Sequence, residues 1–140
     1  MEPQRTSGAD IRALATEYVQ AGGDKRFDRL TELLHPELEA RRPSGSVLGK
    51  KDYLAGTRRL APILLRNDVR RVFVDGDEAV VCYDMVTDSP AGFVRTTEWL
   101  TFADGKVRSS VLLHDGQRWP EVLAELVRRA ASASASSHDG

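Results

Sequence analysis

Two hydrophobic periods run along the chain, and the change from one to the other comes near residue 69. Before it, apolar residues recur at helical spacing. Ile11, Leu14, Ala15 and Tyr18 share one face, which predicts a helix from an Asp10 N-cap to about Ala21, stopped by Gly22-Gly23. A second helix is expected from about Asp24 to His35, with Phe27, Leu30, Leu33 and Leu34 inward. Pro36 ends it by disfavouring the α region at His35. Residues 37–41 read as a short strand and Pro43-Ser44-Gly45 as a turn. A third helix follows over 50–65 with Tyr53, Leu54, Leu60 and Leu64 as its stripe, and Pro62 kinks it or ends it early.

From residue 69 the pattern alternates. VRRVFVD at 69–75 and EAVVCYDMVTD at 78–88 read as a hairpin about Gly76-Asp77, and Ser89 to Gly92 turns the chain again. TEWLTFADGKVRSSVLLHDG, residues 97–116, reads as a second hairpin about Asp104-Gly105, a dipeptide that readily supplies positive φ angles. A last helix is expected over 120–131. Residues 1–8 are expected to be a flexible N-terminus, 9–128 a single domain, and 129–140, ending SASASSHDG, a disordered tail. Helices grouped first and strands last predict an α+β fold. Its curved, mainly antiparallel sheet would wrap the helices and leave a blind, mostly apolar pocket.

Composition narrows the function classes. One domain with a real core is what 140 residues allow. A formal net charge of −1 gives no basis for nucleic-acid or acidic-membrane binding. The single Cys82 excludes an intramolecular disulfide and reads as a small buried hydrophobe. With no long apolar run, a cytoplasmic location is the expectation. The three histidines show no ligand spacing, so neither a metal nor another cofactor is expected.

Candidate chemistry centres on the strands. Alternation sets Thr96, Glu98, Leu100 and Phe102 on one face and Arg95, Thr97, Trp99 and Thr101 on the other. A carboxylate among large apolar side chains costs free energy unless it is paired, protonated or wet. Glu98 is therefore either a pocket acid or a structural carboxylate paired with Arg95 or Arg108. Asp84 shares a face with Val80, Cys82 and Val86. If it meets the same cavity, mutual repulsion would hold one of the two acids protonated, as acid–base work requires. His114 follows three consecutive apolar residues, so its face is open: strict pairing across Asp104-Gly105 puts it outside, and a bulge would turn it inside. Tyr18 and Tyr53 read as core or pocket wall, with proton donation as the alternative. Trp99 reads as interface between two copies, and the Arg58-Arg59 and Arg70-Arg71 pairs as solvated surface.

This order of elements resembles the nuclear transport factor 2-like superfamily, and more closely its SnoaL-like branch. The resemblance is carried by Tyr18-Val19 with Gly23-Asp24, by Leu33 to Glu39, by Pro43-Ser44-Gly45 with Gly49, and most specifically by Glu98 to Val107 ending at His114-Asp115. It implies a cone-shaped α+β barrel, a homodimer through the outer sheet face, and an internal pocket that has Ser110, Leu112 and His114 on its side by way of a bulge near Ser109-Ser110. It does not imply one function. Ketosteroid isomerase-like members place a base carboxylate after the first strand, a tyrosine on helix one and an acid on the penultimate strand. Glu98 matches the acid, but the base position falls near Arg42 and the tyrosine position near Thr16. Limonene epoxide hydrolase-like members need an Asp–Arg–Asp relay. Asp84 matches one aspartate, while Cys82 and Leu112 stand at the other two positions. SnoaL-like cyclases ask for less, and Asp84, Glu98 and His114 are the catalytic candidates, with Tyr18, Tyr53, Leu100, Phe102 and Leu112 as the ligand-binding ones. Three readings follow: a pocket that binds a small hydrophobic molecule, an enzyme doing acid–base chemistry on a hydrophobic carbonyl compound, and a dimerisation module without a ligand.

Overall fold

A computed structural model describes residues 7–138, with side chains through residue 133. Helix α1, Gly8–Gly23, starts at Ser7, whose hydroxyl accepts from the Asp10 amide and donates to the Asp10 carboxyl. Ser7 thus takes the N-cap place expected at Asp10, and Asp10 meets its hydroxyl through both amide and carboxyl. The loose N-terminus expected over 1–8 is tied down from Ser7 onward, and residues 1–6 lie outside the described residues. Ile11, Ala15, Tyr18 and Val19 bury the inner face of α1. Gly23 matters at its end: a Cβ there would stand 2.5 Å from the Asn67 backbone nitrogen, so only glycine lets the helix reach the sheet. Asn67 Nδ2 also donates to the Val19 carbonyl at 2.9 Å.

Helix α2, Phe27–Leu33, is shorter than its apolar pattern suggests. Leu34, His35 and Pro36 belong instead to β1, Leu34–Arg41, because Leu34 pairs with Val107 of the neighbouring strand. Strand pairing outweighs helical periodicity there. The chain then forms a two-residue strand β2, Val47–Leu48, and α3, Lys50–Leu60. Pro62 ends α3 before Leu64, so Leu64 and Leu65 enter β3, Leu64–Asp75.

Strands β3, β4 (Glu78–Thr87), β5 (Phe93–Ala103) and β6 (Lys106–His114) form the expected antiparallel meander. Asp104 and Gly105 both take positive φ, 56° and 71°, as the hairpin requires. The six-stranded sheet runs β2-β1-β6-β5-β4-β3, with β1 and β6 parallel and the other neighbours antiparallel. The sheet is open, with β2 and β3 at its two edges, so the expected cone is not a closed barrel. Helix α4, Trp119–His138, extends past Ala131 through most of the segment expected to be a disordered tail. Val122 of α4 is fully buried, and Glu125 pairs with Arg128 and Arg129 on the same helix. Among the described residues no helix is long and apolar enough to cross a membrane.

Register decides which side chains face the helices. Across β4, β5 and β6 the inner face carries three rows: Ala79–Leu100–Ser110, Val81–Glu98–Leu112 and Tyr83–Thr96–His114. A bulge at Arg108, between the Phe102–Val107 and Thr101–Ser109 pairs, sets the β6 member of all three rows. It lies within two residues of the place the family pattern requires, and it turns His114 inward.

Candidate functional site

Glu98 sits midway along β5, buried, with no cationic partner among the described residues. Its neutralisation comes from hydroxyls. Tyr83 Oη donates to Oε1 at 2.6 Å, and Tyr18 Oη and Ser110 Oγ donate to Oε2 at 2.8 and 3.0 Å. Tyr18 and Tyr53 oxygens lie 2.6 Å apart. Since the Tyr18 proton is committed to Glu98, Tyr53 is the donor of that pair. Burial first, and then the nearby Glu98 charge, push all three tyrosines above their ordinary pKa, so they stay protonated donors. A carboxylate has about four acceptor positions, and three are filled here. Roughly one is left for the space in front of it.

That space is a cavity of about 330 Å³ between the sheet, α3 and α4. Its walls are mainly apolar, built by Leu48, Leu60, Met85, Leu112, Trp119 and Leu126. Tyr53, Tyr83, Glu98 and His114 supply most of its polar lining, with Arg42 on one wall and exposed Arg59 and Leu123 at the rim. The His114 ring stacks on Trp119 with centroids 4.5 Å apart. Burial, and next the Arg42 charge, hold its pKa below the ordinary value, which keeps the imidazole neutral near pH 7.

The candidates divide cleanly. Glu98, His114, Tyr53 and Leu112 meet at the cavity. Asp84 does not. On β4 the inner residues are Val81, Tyr83 and Met85, so Asp84 points to the outer sheet face with Val80, Cys82 and Val86. There its carboxylate is held by Arg70 at 2.8 Å and Arg95 at 3.1 Å. Burial works against its ionisation, but the Arg95 and Arg70 hydrogen bonds outweigh it and the pKa is lowered. Asp84 and Glu98 therefore share no proton, and the expected pairing of Glu98 with Arg95 or Arg108 is also absent. Arg95 serves Asp84, and Arg108 donates to the Glu37 carbonyl. Arg70 is likewise an ion-pair partner, not merely solvated surface.

Leu100 and Phe102 are buried core and do not line the cavity, and Tyr18 stands behind the lining through its bonds to Tyr53 and Glu98. Cys82 is half-buried on the outer face. Of the donors to Glu98, Ser110 stands on the pocket side that the resemblance implies, while Tyr83 was not among the sequence candidates. The alternation that puts Asp84 on one face of β4 puts Tyr83 on the other, so taking Asp84 as inward turned Tyr83 outward. Thr16 stands near the position where a helix-one tyrosine was sought. Its hydroxyl bonds the Arg12 carbonyl, while Tyr18, two residues on, delivers a tyrosine hydroxyl to Glu98 from the same helix.

Residues 15–110 match the model of the SnoaL-like domain. The chain belongs to the SnoaL-like family. Its fold is that of the nuclear transport factor 2-like superfamily. No curated protein is similar enough to this SnoaL-like chain to count as a relative. Solved structures share its fold. A ketosteroid isomerase candidate from Kribbella flavida is 21% identical, covering 79% of this chain and 81% of its own, with a TM-score of 0.69. A SnoaL-like polyketide cyclase candidate from Shewanella denitrificans is 15% identical, covering 82% and 97%, with a TM-score of 0.68. A de novo designed protein with a curved β-sheet is 20% identical, covering 85% and 96%, with a TM-score of 0.72. At such identities the likeness shows the fold alone, and a designed neighbour underlines that this fold needs no activity to form.

Proposed function

We propose that this SnoaL-like domain binds a small hydrophobic molecule in its internal cavity, with the polar end of the ligand meeting Glu98. The observation that carries this reading is the combination of a mostly apolar space of about 330 Å³ with one buried carboxylate whose own donors are fixed. Ligand pockets of this size are typically apolar with a few converging polar groups. Native mass spectrometry of protein taken from its original host tests it. A retained molecule of defined mass, released on unfolding, is the expected result.

Acid–base chemistry is the second reading, and a specific arrangement favours it. Glu98 and His114 are diagonal neighbours on the inner face, one a carboxylate and the other a neutral imidazole, with Tyr83 on the far side of β5 as a fixed donor to Glu98. A carbonyl compound in the cavity would meet a proton acceptor and a donor together. The ketosteroid isomerase and polyketide cyclase candidates from Kribbella and Shewanella, which share this fold, favour the same reading.

The outer sheet face supports self-association. Phe73, Val80, Trp99 and Val111 are directly paired across four strands and form one continuous apolar row. Phe73 is 56% exposed and Trp99 50% exposed. A second copy covering this row is the partner we infer.

A further inference from the structure

Arg42 is the one cation on the cavity wall that is partly withdrawn from water, since Arg59 is exposed at the rim. It stands in the tight connection between β1 and β2, where its amide donates to the Ser46 carbonyl and its carbonyl accepts from the Gly45 amide. The backbone is therefore anchored on both sides of the side chain. The guanidinium lies 5.9 Å from the centre of the Tyr53 ring. It makes no hydrogen bond or ion pair among the described residues, although the arginines at 29, 70, 95, 118, 128 and 129 all find carboxylate partners. A ring face cannot satisfy five N–H donors. On the same cavity lining, His114 Nδ1 is buried and without a partner. A half-buried guanidinium with no protein partner and a buried imidazole nitrogen without one thus border a space whose walls are mainly apolar.

We propose that the ligand of this pocket carries one carboxylate on an apolar body, and that Arg42 binds that carboxylate. The inference rests on the pocket-binding reading above and names its ligand class. A planar guanidinium matches a carboxylate with two parallel hydrogen bonds, and such charge-assisted pairs gain strength away from bulk water. His114 Nδ1, carried as N–H, supplies one further donor to the same group. The influence of Arg42 on the titration of His114, Tyr53 and Tyr83 is consistent with its charge acting inside the cavity. Glu98, with three hydroxyl donors and roughly one acceptor position left, is available to the far polar atom of the ligand or to proton transfer.

The test uses two pairs of probes, 2-naphthoate with 2-naphthamide and octanoate with octanamide, titrated calorimetrically into the wild type, Arg42→Gln, Arg42→Lys and Lys51→Gln. Lys51 is exposed outside the cavity and controls for net charge. The wild type and Lys51→Gln are expected to prefer each carboxylate over its amide by about ten-fold or more, the scale of a charge-assisted bond. Arg42→Gln should bring each pair to within about two-fold while amide binding is unchanged, and Arg42→Lys should keep part of the preference. Amides binding as well as carboxylates to the wild type, or a preference that survives Arg42→Gln, overturns the carboxylate assignment and leaves the pocket reading standing. No binding of any of the four compounds at millimolar concentration overturns both.

Discussion

Tyr83 donates a 2.6 Å hydrogen bond to Glu98 Oε1, from the neighbouring strand and at the wall of the cavity. Together with Tyr18 and Ser110 it lets the protein keep a carboxylate in an apolar interior without a cation. The same bond fixes which Glu98 oxygen remains available to the cavity.

Removing that donor is expected to cost stability. Tyr83→Phe leaves Oε1 underbonded, and loss of one partner of a buried hydrogen bond to a charged group costs about 1–3 kcal/mol. Urea denaturation of Tyr83→Phe, Glu98→Gln and the double variant checks it. The double variant should be less destabilised than the sum of the singles, because the two side chains share one interaction.

Gly56 offers a way to fill the cavity without straining the fold. It lies in the middle of α3 on the cavity lining, and a Cβ there would meet only the end of the Arg59 side chain, at 4.0 Å. Gly56→Leu should leave stability unchanged or raise it by up to about 1 kcal/mol, the helix-propensity gain over glycine. Ligand retention should be lost. Thermal melting and native mass spectrometry on the same sample read both effects.

Acid should act through two groups of opposite chemistry but the same sign. The lowered pKa of Asp84 means that its stabilising contribution is complete above the ordinary value of 3.8. It is lost as pH falls through the folded-state value, because the unfolded chain takes up its proton first. His114 is held neutral in the folded state, so the unfolded chain is also the better proton acceptor just below 6.5. Stability is therefore expected to fall in two stages on acidification, and His114→Gln should remove the earlier one. Asp84→Asn should lower stability at pH 7 and leave ligand binding intact, since Asp84 faces away from the cavity. Denaturation midpoints from pH 7 to pH 3 decide this.

Trp99 tests self-association. Its indole donates to Glu78 at 3.1 Å, yet half of the residue stays exposed beside Val80 and Val111. Trp99→Glu should convert a dimer to a monomer in analytical ultracentrifugation with little change in secondary structure. A wild type that sediments as a monomer at tens of micromolar would remove the proposed interface.

Much of this architecture was legible in the residues. The Asp104-Gly105 turn, the meander, the inward face of β5 and the early end of α3 at Pro62 all follow from local chemistry. What failed was parity. Val80 to Val86 is apolar on both faces, because the outer face is half-covered, so alternation could not say which side Asp84 took. Arg70 and Arg95 were visible in the sequence, but only the strand register shows that both flank Asp84. Tyr83 was hidden by the same ambiguity. The length of α2 was misjudged because Leu34 has a helical spacing but a strand partner, and no local signal carries that long-range pairing.

The chain has two tryptophans, Trp119 on the cavity and Trp99 on the outer face. Indole N–H resonances followed by NMR during titration with 2-naphthoate and 2-naphthamide therefore report where a ligand goes. Binding in the cavity predicts that the Trp119 signal shifts and saturates while the Trp99 signal stays in place. A shift confined to Trp99, or no saturable change at Trp119 with either compound, would contradict the account.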